Sequence, residues 1–337
     1  MNTQAPGSCA IGKEGTIDQI GGRSSDRRCI QILKGKLMHQ DNQSSHSMKK
    51  RPTTKILVDG GDPEETLRIK SLLGFVDGQT TNPSLVAKSP HLIRFLAAGH
   101  RLTEQQEGEE YRKIVQRIAP LVGDAGVSIE VFSDLSTTAE HMLNQGKDMY
   151  KWIPNAYIKY PCTLEGLRAA HLSVAQGMRV NMTLCFSQAQ AAAVYSATKG
   201  THTPVYVSPF IGRLDGIGKN GIDLIKNIQR IFDKGDGHVV ILAASIRSLE
   251  HLLCCLLLDI ELVTVPAKIL EEWATKNFPM PGPDFVYSAA GTPIEYEDID
   301  LGKRWESFAV DHELTRAGIH KFVTDYRATL RGTASES

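Results

Sequence analysis

The chain lacks the long apolar run that a membrane span needs. Its longest uninterrupted one, Leu252–Leu258, has seven residues, where a bilayer-crossing helix takes about 20. An excess of one charge is missing too. The 38 Lys+Arg are matched by 38 Asp+Glu in 337 residues, so there is no basic surplus to displace counterions from a phosphate backbone. Neither a membrane nor a nucleic acid is expected as a partner. Cysteine is sparse: Cys9, Cys29, Cys162, Cys185, Cys254 and Cys255, with no Cys-x-x-Cys pair. That argues against a disulfide framework and for a reducing cytoplasm, with adjacent Cys254 and Cys255 acting as small hydrophobes in a leucine run. Eleven histidines occur without His-Glu-x-x-His spacing, so no metal site is expected. What remains is 41% hydrophobic and 23% charged, the composition of a folded globular chain rather than a disordered one.

Nucleotide signatures are also wanting. No Gly-x-x-x-x-Gly-Lys-Ser/Thr run exists. Gly216-Ile217-Gly218-Lys219-Asn220-Gly221 fits G-x-G-x-x-G, but it follows a loop rather than a strand and reads as the cap of the next helix. His202 and His238 precede strands and read as structural or solvated.

Residues 1–52 differ from the rest. They are rich in Gly, Ser, Gln and Asn and carry nine Lys+Arg against four Asp+Glu. Apart from a stretch around Cys29–Met38 they show no period and no apolar core of a secretory signal; Glu14, Asp18, Asp26 and Asp41 count against a transit peptide. They read as a disordered tail that includes the basic Lys49-Lys50-Arg51, or as sequence ahead of a start at Met48. One domain over residues 53–337 is expected to follow.

From Lys55 onward, β-rich runs alternate with helical patterns. The strands predicted are Lys55–Asp59, Gly74–Asp77, Val127–Val131, Ala156–Tyr160, Arg179–Thr183, Pro204–Ser208, His238–Leu242 and Ile260–Val265. Between them lie helical stretches that begin well, as at Asp62-Pro63-Glu64-Glu65, which offers a cap, a first-position proline and first-turn acids. Eight β/α repeats predict a single (β/α)₈ (TIM) barrel rather than a doubly wound sheet. The loop after the first strand, Asp59-Gly60-Gly61-Asp62, is acidic and wrong for a phosphate loop. A Pro-rich crossover, Asn277–Pro293, leads to a last helix from about Asp311 to Leu330, packed over the barrel.

Chemistry in such a barrel sits at the carboxyl ends of the strands. Strand parity turns Lys159 inward with Tyr157, away from Ala156, Ile158 and Tyr160. The same rule sends Ser128 and Glu130 inside, puts Asp59 on the parity of Leu57, and aligns Asn181 with Thr183. Asn82 follows the second strand; Ser208 ends the sixth, with Arg213 close behind. A lysine sheltered from water is disfavoured as an ammonium and becomes a nucleophile for carbonyl carbon, with carboxylates beside it to move protons.

These residues resemble the transaldolase family from about Lys55 to Leu330. The segments are Thr80-Thr81-Asn82-Pro83-Ser84-Leu85, Ile158-Lys159-Tyr160-Pro161-Cys162-Thr163-Leu164-Glu165-Gly166, Asn181-Met182-Thr183-Leu184-Cys185-Phe186-Ser187, Ser208-Pro209-Phe210-Ile211-Gly212-Arg213 and Ala244-Ser245-Ile246-Arg247. The resemblance implies Lys159 as Schiff-base lysine, Asp59 as acid/base at the carbon–carbon bond, and Glu130 with Thr183 around a catalytic water. It implies Asn82, Asn181 and Ser208 on a dihydroxyacetone unit, and Arg213, Ser245 and Arg247 on a phosphate. It further implies transfer of dihydroxyacetone between sedoheptulose 7-phosphate and glyceraldehyde 3-phosphate in the pentose phosphate pathway, without metal or nicotinamide. Two places depart from the family pattern: Asp59-Gly60-Gly61, where Asp-Thr is frequent, and Gly78-Gln79, where an alanine precedes the Thr-Thr-Asn-Pro run. Tyr160 stands where an aliphatic is common and is expected to face the helices. Two other readings stand beside this one: a fructose 6-phosphate aldolase, a branch that carries glutamine at the Glu130 position and tyrosine at the Phe210 position, and a silent barrel that only binds. The sequence leaves self-association into a homo-oligomer open.

Overall fold

The computed structural model describes residues 51–282, 284–287 and 291–330; the tail assigned from sequence lies outside these, save Arg51 and Pro52. Among the described residues, eight strands close one barrel in chain order, all neighbours parallel. They are β1 Lys55–Asp59, β2 Gly78–Thr80, β3 Gly126–Glu130, β4 Ala156–Pro161, β5 Val180–Cys185, β6 Val205–Pro209, β7 Val239–Ala243 and β8 Leu262–Val265. The helices are α1 Pro63–Leu73, α2 Pro83–Ala87, α3 Pro90–Ala97, α4 Glu104–Ile118, α5 Ala139–Tyr150, α6 Leu164–Val174, α7 Gln188–Ala197, α8 Ile211–Asp215, α9 Gly221–Phe232, α10 Leu249–Leu257, α11 Ala267–Thr275 and α12 Glu313–Arg327. The predicted TIM barrel is the fold observed.

Local chemistry sets the element ends. Asp62 accepts the Glu64 N–H at 3.0 Å, and Gly74, at φ 83°, stops α1 with its N–H on the Lys70 carbonyl. Thr103 and Gln106 form a capping box for α4. Gly126 must be glycine: its φ is 68°, and a Cβ there would stand 2.2 Å from the Asn155 carbonyl oxygen. That fixes where β3 begins, and so where Glu130 falls.

Outward strand residues such as Ile129, Ile158, Tyr160, Val180 and Met182 pack under the helices. A fully buried aliphatic of this kind contributes about 1.5–3 kcal/mol relative to exposure. Tyr160 does face the helices, its hydroxyl 3.0 Å from Ser173 Oγ on α6. Inside the barrel, Leu57, Tyr157, Tyr206, Leu242 and Leu262 form a small apolar plug in which the rings of Tyr157 and Tyr206 stack at 4.1 Å. Above it the inward positions become polar: Thr80, Ser128, Lys159, Asn181 and Thr264, all buried.

Several boundaries differ from the sequence reading. The predicted strand Gly74–Asp77 is a helix cap and loop; the strand is Gly78–Thr80, because Gly74 is taken by the left-handed turn. The Asp77 carboxylate accepts the Ile56 N–H at 2.8 Å and pairs with Arg51, whose guanidinium lies 4.2 Å from the centre of the Phe75 ring. Arg51 is therefore tied to the barrel, its side chain still exposed. Ser245 takes φ 58°, and α10 begins only at Leu249, with Ser248 as its cap. Short α2 and α8 have too few residues to show a helical period. The glycine-rich loop after α8 does lead into a cap: Asn220 accepts the Ile222 N–H at the start of α9. His238 is held by Asp236, and His202 is exposed.

Helix α12 lies across the barrel mouth. Ile319, Val323 and Tyr326 are buried, while Phe322 turns into the mouth. Ser84 on α2 donates to Asp325, and Thr315 Oγ1 donates to the Leu184 carbonyl at 2.9 Å.

Candidate active site

Strand register brings the central pair together: Glu130 on β3 lies opposite Lys159 on β4, and Lys159 opposite Asn181 on β5. Lys159 Nζ is 3.0 Å from Glu130 Oε2, each side chain 5% exposed, and donates to the Thr81 carbonyl at 3.1 Å. Breaking such a buried pair by removing one partner leaves an uncompensated charge and costs several kcal/mol, on the order of 3–5. Tyr111, from α4, supports both partners from behind. Its hydroxyl accepts the Glu130 N–H at 3.0 Å and donates to Thr81 Oγ1 at 2.6 Å, which in turn donates to the Ser128 carbonyl at 2.8 Å.

Asp59, at the end of β1, accepts a hydrogen bond from Thr80 Oγ1 at 2.8 Å, and Thr80 shares another with Thr264 at 2.6 Å. Burial pushes the Asp59 carboxyl above the usual carboxylate range, with Lys159, Thr80 and Lys88 pulling it back. Burial raises Glu130 in the same way, against the pull of Lys159 and Arg213. Both carboxyls can therefore hold a proton as well as give one up. Within the site, the buried atoms Glu130 Oε2 and Thr183 Oγ1 have no hydrogen-bond partner among the described residues. Oε2 has Lys159 at ion-pair distance without a well-directed bond. Orphaned buried polar atoms of this kind call for water or ligand.

A cavity of about 140 Å³ opens at this point, lined by Asp59, Asn82, Lys159, Thr183, Ser208, Arg213 and Ser245. Among the positions singled out from sequence, Glu130, Asn181 and Arg247 do not line it. Asn181 lies one layer below, donating to Ser128 Oγ at 3.0 Å and accepting from Ser208 Oγ at 2.7 Å. Asn82 caps α2 through its side-chain oxygen, accepting the Leu85 N–H at 2.9 Å. Arg213 lies between the rings of Phe210 and Phe322, 5.2 and 5.6 Å from their centres. Burial lowers its pKa, the Glu130 charge opposes this, and Arg247 lowers it further. Arg247 is exposed and runs along α8.

Sequence reasoning missed Tyr111, Thr264 and Phe322, none of which belongs to a strand-end motif it used. The two departures from the family pattern prove to be one. The Gln79 amide donates to the Gly60 carbonyl at 2.9 Å and accepts from Thr66 Oγ1 at 2.6 Å, so the Gly60 turn and Gln79 are a matched pair behind Asp59.

Fold and site together define a (β/α)₈ enzyme with a buried lysine–carboxylate pair at the carboxyl ends of its strands. The family model for transaldolase/fructose-6-phosphate aldolase matches residues 56–332. A probable transaldolase of Agathobacter rectalis is 32% identical over 276 residues, covering 82% of this chain and 99% of the relative. One from Caldicellulosiruptor saccharolyticus is 38% identical over 219 residues, covering 65% and 88%. The chain belongs to the transaldolase/fructose-6-phosphate aldolase family. It is an enzyme of the transaldolase/aldolase type, classed with the transferases, and membership brings sugar phosphates as the substrate class. Among the described residues no helix is long and apolar enough to cross a membrane.

Proposed function

We propose that this protein is a transaldolase that moves a dihydroxyacetone unit from sedoheptulose 7-phosphate to glyceraldehyde 3-phosphate through a Schiff base on Lys159, giving erythrose 4-phosphate and fructose 6-phosphate. The observation that carries the reading is the buried pair of Lys159 and Glu130 at 3.0 Å, with Lys159 and Asp59 both lining the cavity. Lys159 passes its proton to Glu130 and, as the free amine, adds to the ketose carbonyl. The carbinolamine loses water, with Glu130 supplying the proton to the departing hydroxyl, and an iminium remains. Asp59 takes the proton of the hydroxyl beyond the scissile bond. That carbon–carbon bond breaks, its electrons flow into the iminium as an enamine, and the aldose leaves. The enamine carbon then attacks the aldehyde of glyceraldehyde 3-phosphate, and Asp59 returns its proton to the new alkoxide. Water, activated by Glu130 and positioned by Thr183, hydrolyses the iminium and frees Lys159.

Asn82 and Ser208 border the cavity where the three-carbon unit would lie, and Asn181 orients Ser208 from below. Arg213, Ser245 and Arg247 take the phosphate, charge-assisted contacts being the stronger kind. Glu130 and Phe210 occupy the two positions that separate the transferase from the aldolase branch, and both favour transfer. The reading places the enzyme in the pentose phosphate pathway and in the cytoplasm, where the four buried free thiols among the described residues fit a reducing setting.

The test is borohydride reduction with fructose 6-phosphate, followed by peptide mass spectrometry. One reduced dihydroxyacetone adduct is expected, on Lys159, and Lys159→Ala should lose it together with turnover. An adduct on another lysine, or near-normal turnover by Lys159→Ala, refutes the reading.

A further inference from the structure

We infer that His251, with Asp215 and Tyr287, is a positioning residue that holds the Arg213 and Arg247 guanidinium groups together at one phosphate. The inference rests on the phosphate role proposed above for those arginines.

His251, on α10, is buried, its side chain 6% exposed. Its Nδ1 accepts the backbone N–H of Arg247 at 3.2 Å. An accepting Nδ1 puts the proton of the neutral ring on Nε2. That nitrogen faces Asp215 Oδ2 at 2.7 Å and the Tyr287 hydroxyl at 3.0 Å. Tyr287 donates to the same carboxylate oxygen at 2.7 Å. The other oxygen of Asp215 accepts the Gly221 N–H at 2.8 Å. Asp215 ends α8, the short helix that bears Arg213. One imidazole therefore joins the helix of one arginine to the backbone of the other.

The Arg247 side chain completes the clamp. It lies in a channel along α8 that exists because two positions there lack side chains. A Cβ on Gly212 would come within 2.6 Å of Arg247 Cγ and Cδ, and one on Gly216 within 3.0 Å of Nη1. The backbones are stitched as well: Gly212 N–H donates to the Ser245 carbonyl at 3.0 Å and Ile211 N–H to the Ala244 carbonyl at 3.1 Å. Two guanidinium groups repel one another, and each helps lower the cost of binding a phosphate dianion only while both are held near it. A short helix and a loop would not keep them so unaided. The His251 link ties them at a point away from the cavity, touching neither the substrate nor the reacting atoms.

The experiment measures three quantities for His251→Ala, His251→Asn and His251→Gln beside Arg213→Ala and Arg247→Ala. They are KM for fructose 6-phosphate, the inhibition constant of inorganic phosphate, and the rate of borohydride trapping with unphosphorylated dihydroxyacetone. His251→Ala should raise the first two about tenfold, the equivalent of one net hydrogen bond. Trapping with dihydroxyacetone should change less than about twofold, since the lysine site is not touched. His251→Asn places an oxygen near the Nδ1 position, keeps the Arg247 link and should recover most of the loss. His251→Gln reaches only toward Asp215 and should recover less. Equal damage to trapping and phosphate binding by His251→Ala, no change in either, or an asparagine variant no better than glutamine overturns the inference. The last comparison holds even if the alanine variant does not fold. If the arginine variants themselves fail to discriminate phosphate from dihydroxyacetone, the phosphate role falls; if they discriminate and the His251 variants are silent, only the positioning role falls.

Discussion

Thr183 has the hydroxyl whose fate separates structure from chemistry at this site. Its Oγ1 is buried and has no hydrogen-bond partner among the described residues. Threonine and valine are nearly the same shape. Removing an unpaired buried hydroxyl is close to neutral for stability or favourable, so Thr183→Val should melt within a degree or two of the parent or above it. Its kcat should fall, on the order of 10–100-fold, if the hydroxyl positions the hydrolytic water. Unchanged turnover would remove Thr183 from the mechanism; a lowered melting temperature would mean the hydroxyl has a partner. Lys159, Glu130 and Thr183 were legible in sequence because strand parity alone decides which way they point. Tyr111 was not. It reaches the site from a helix and acts on a main-chain N–H and a threonine hydroxyl, and side-chain patterns give no sign of either.

At the scale of elements, the rhythm of strands and long helices was readable, since apolar runs and capping residues mark them. What escaped were pieces governed by single backbone conformations. β5 and β6 slip register between Met182 and Cys185, where Leu184 takes φ 58°; such a bulge re-aims the chain beside a site. Here it turns the Leu184 carbonyl toward Thr315 of α12. The C-terminal helix was foreseen as packing over the barrel, but its part in the mouth, through Phe322, was not. The helix comes this close through Gly318, where a Cβ would lie 2.6 Å from both Arg213 Nη1 and Leu184 Cδ2. Gly318→Ala should therefore push α12 outward or displace Arg213. Overpacking of this sort costs about 1–3 kcal/mol, although alanine is the better helix former by about 1 kcal/mol. The expected result is a modest loss of stability with a several-fold rise in KM for a phosphorylated donor. A more stable variant with unaltered KM would show that α12 does not press on Arg213.

On the scale of the whole molecule, the eight β/α repeats were enough to give the barrel, while the pH response depends on a residue no motif contains. Glu107, on α4, is 6% exposed, and burial pushes its carboxyl up to about 7. Its charge is felt by Tyr111 on its own helix and by Tyr326 on α12, both raised mainly by their own burial. Below about pH 4.5 the carboxyl is neutral in the folded and unfolded chain alike and costs nothing. As pH rises, the unfolded chain loses its proton first; the folded chain then binds more protons, and stability falls until about pH 7 is passed. The full cost at higher pH is on the order of 3 kcal/mol. Glu107→Gln cannot ionise. Whatever its amide costs in that setting is the same at every pH, so it cancels when two pH values are compared. The difference in melting temperature, variant minus parent, should therefore be several degrees greater at pH 8 than at pH 5. Asp59 and Glu130 are raised in the same direction, but they are common to both proteins and drop out of that difference. Equal differences at the two pH values would mean that Glu107 ionises in the folded protein as readily as in the unfolded one, and a smaller difference at pH 8 would mean that its charge is stabilised there.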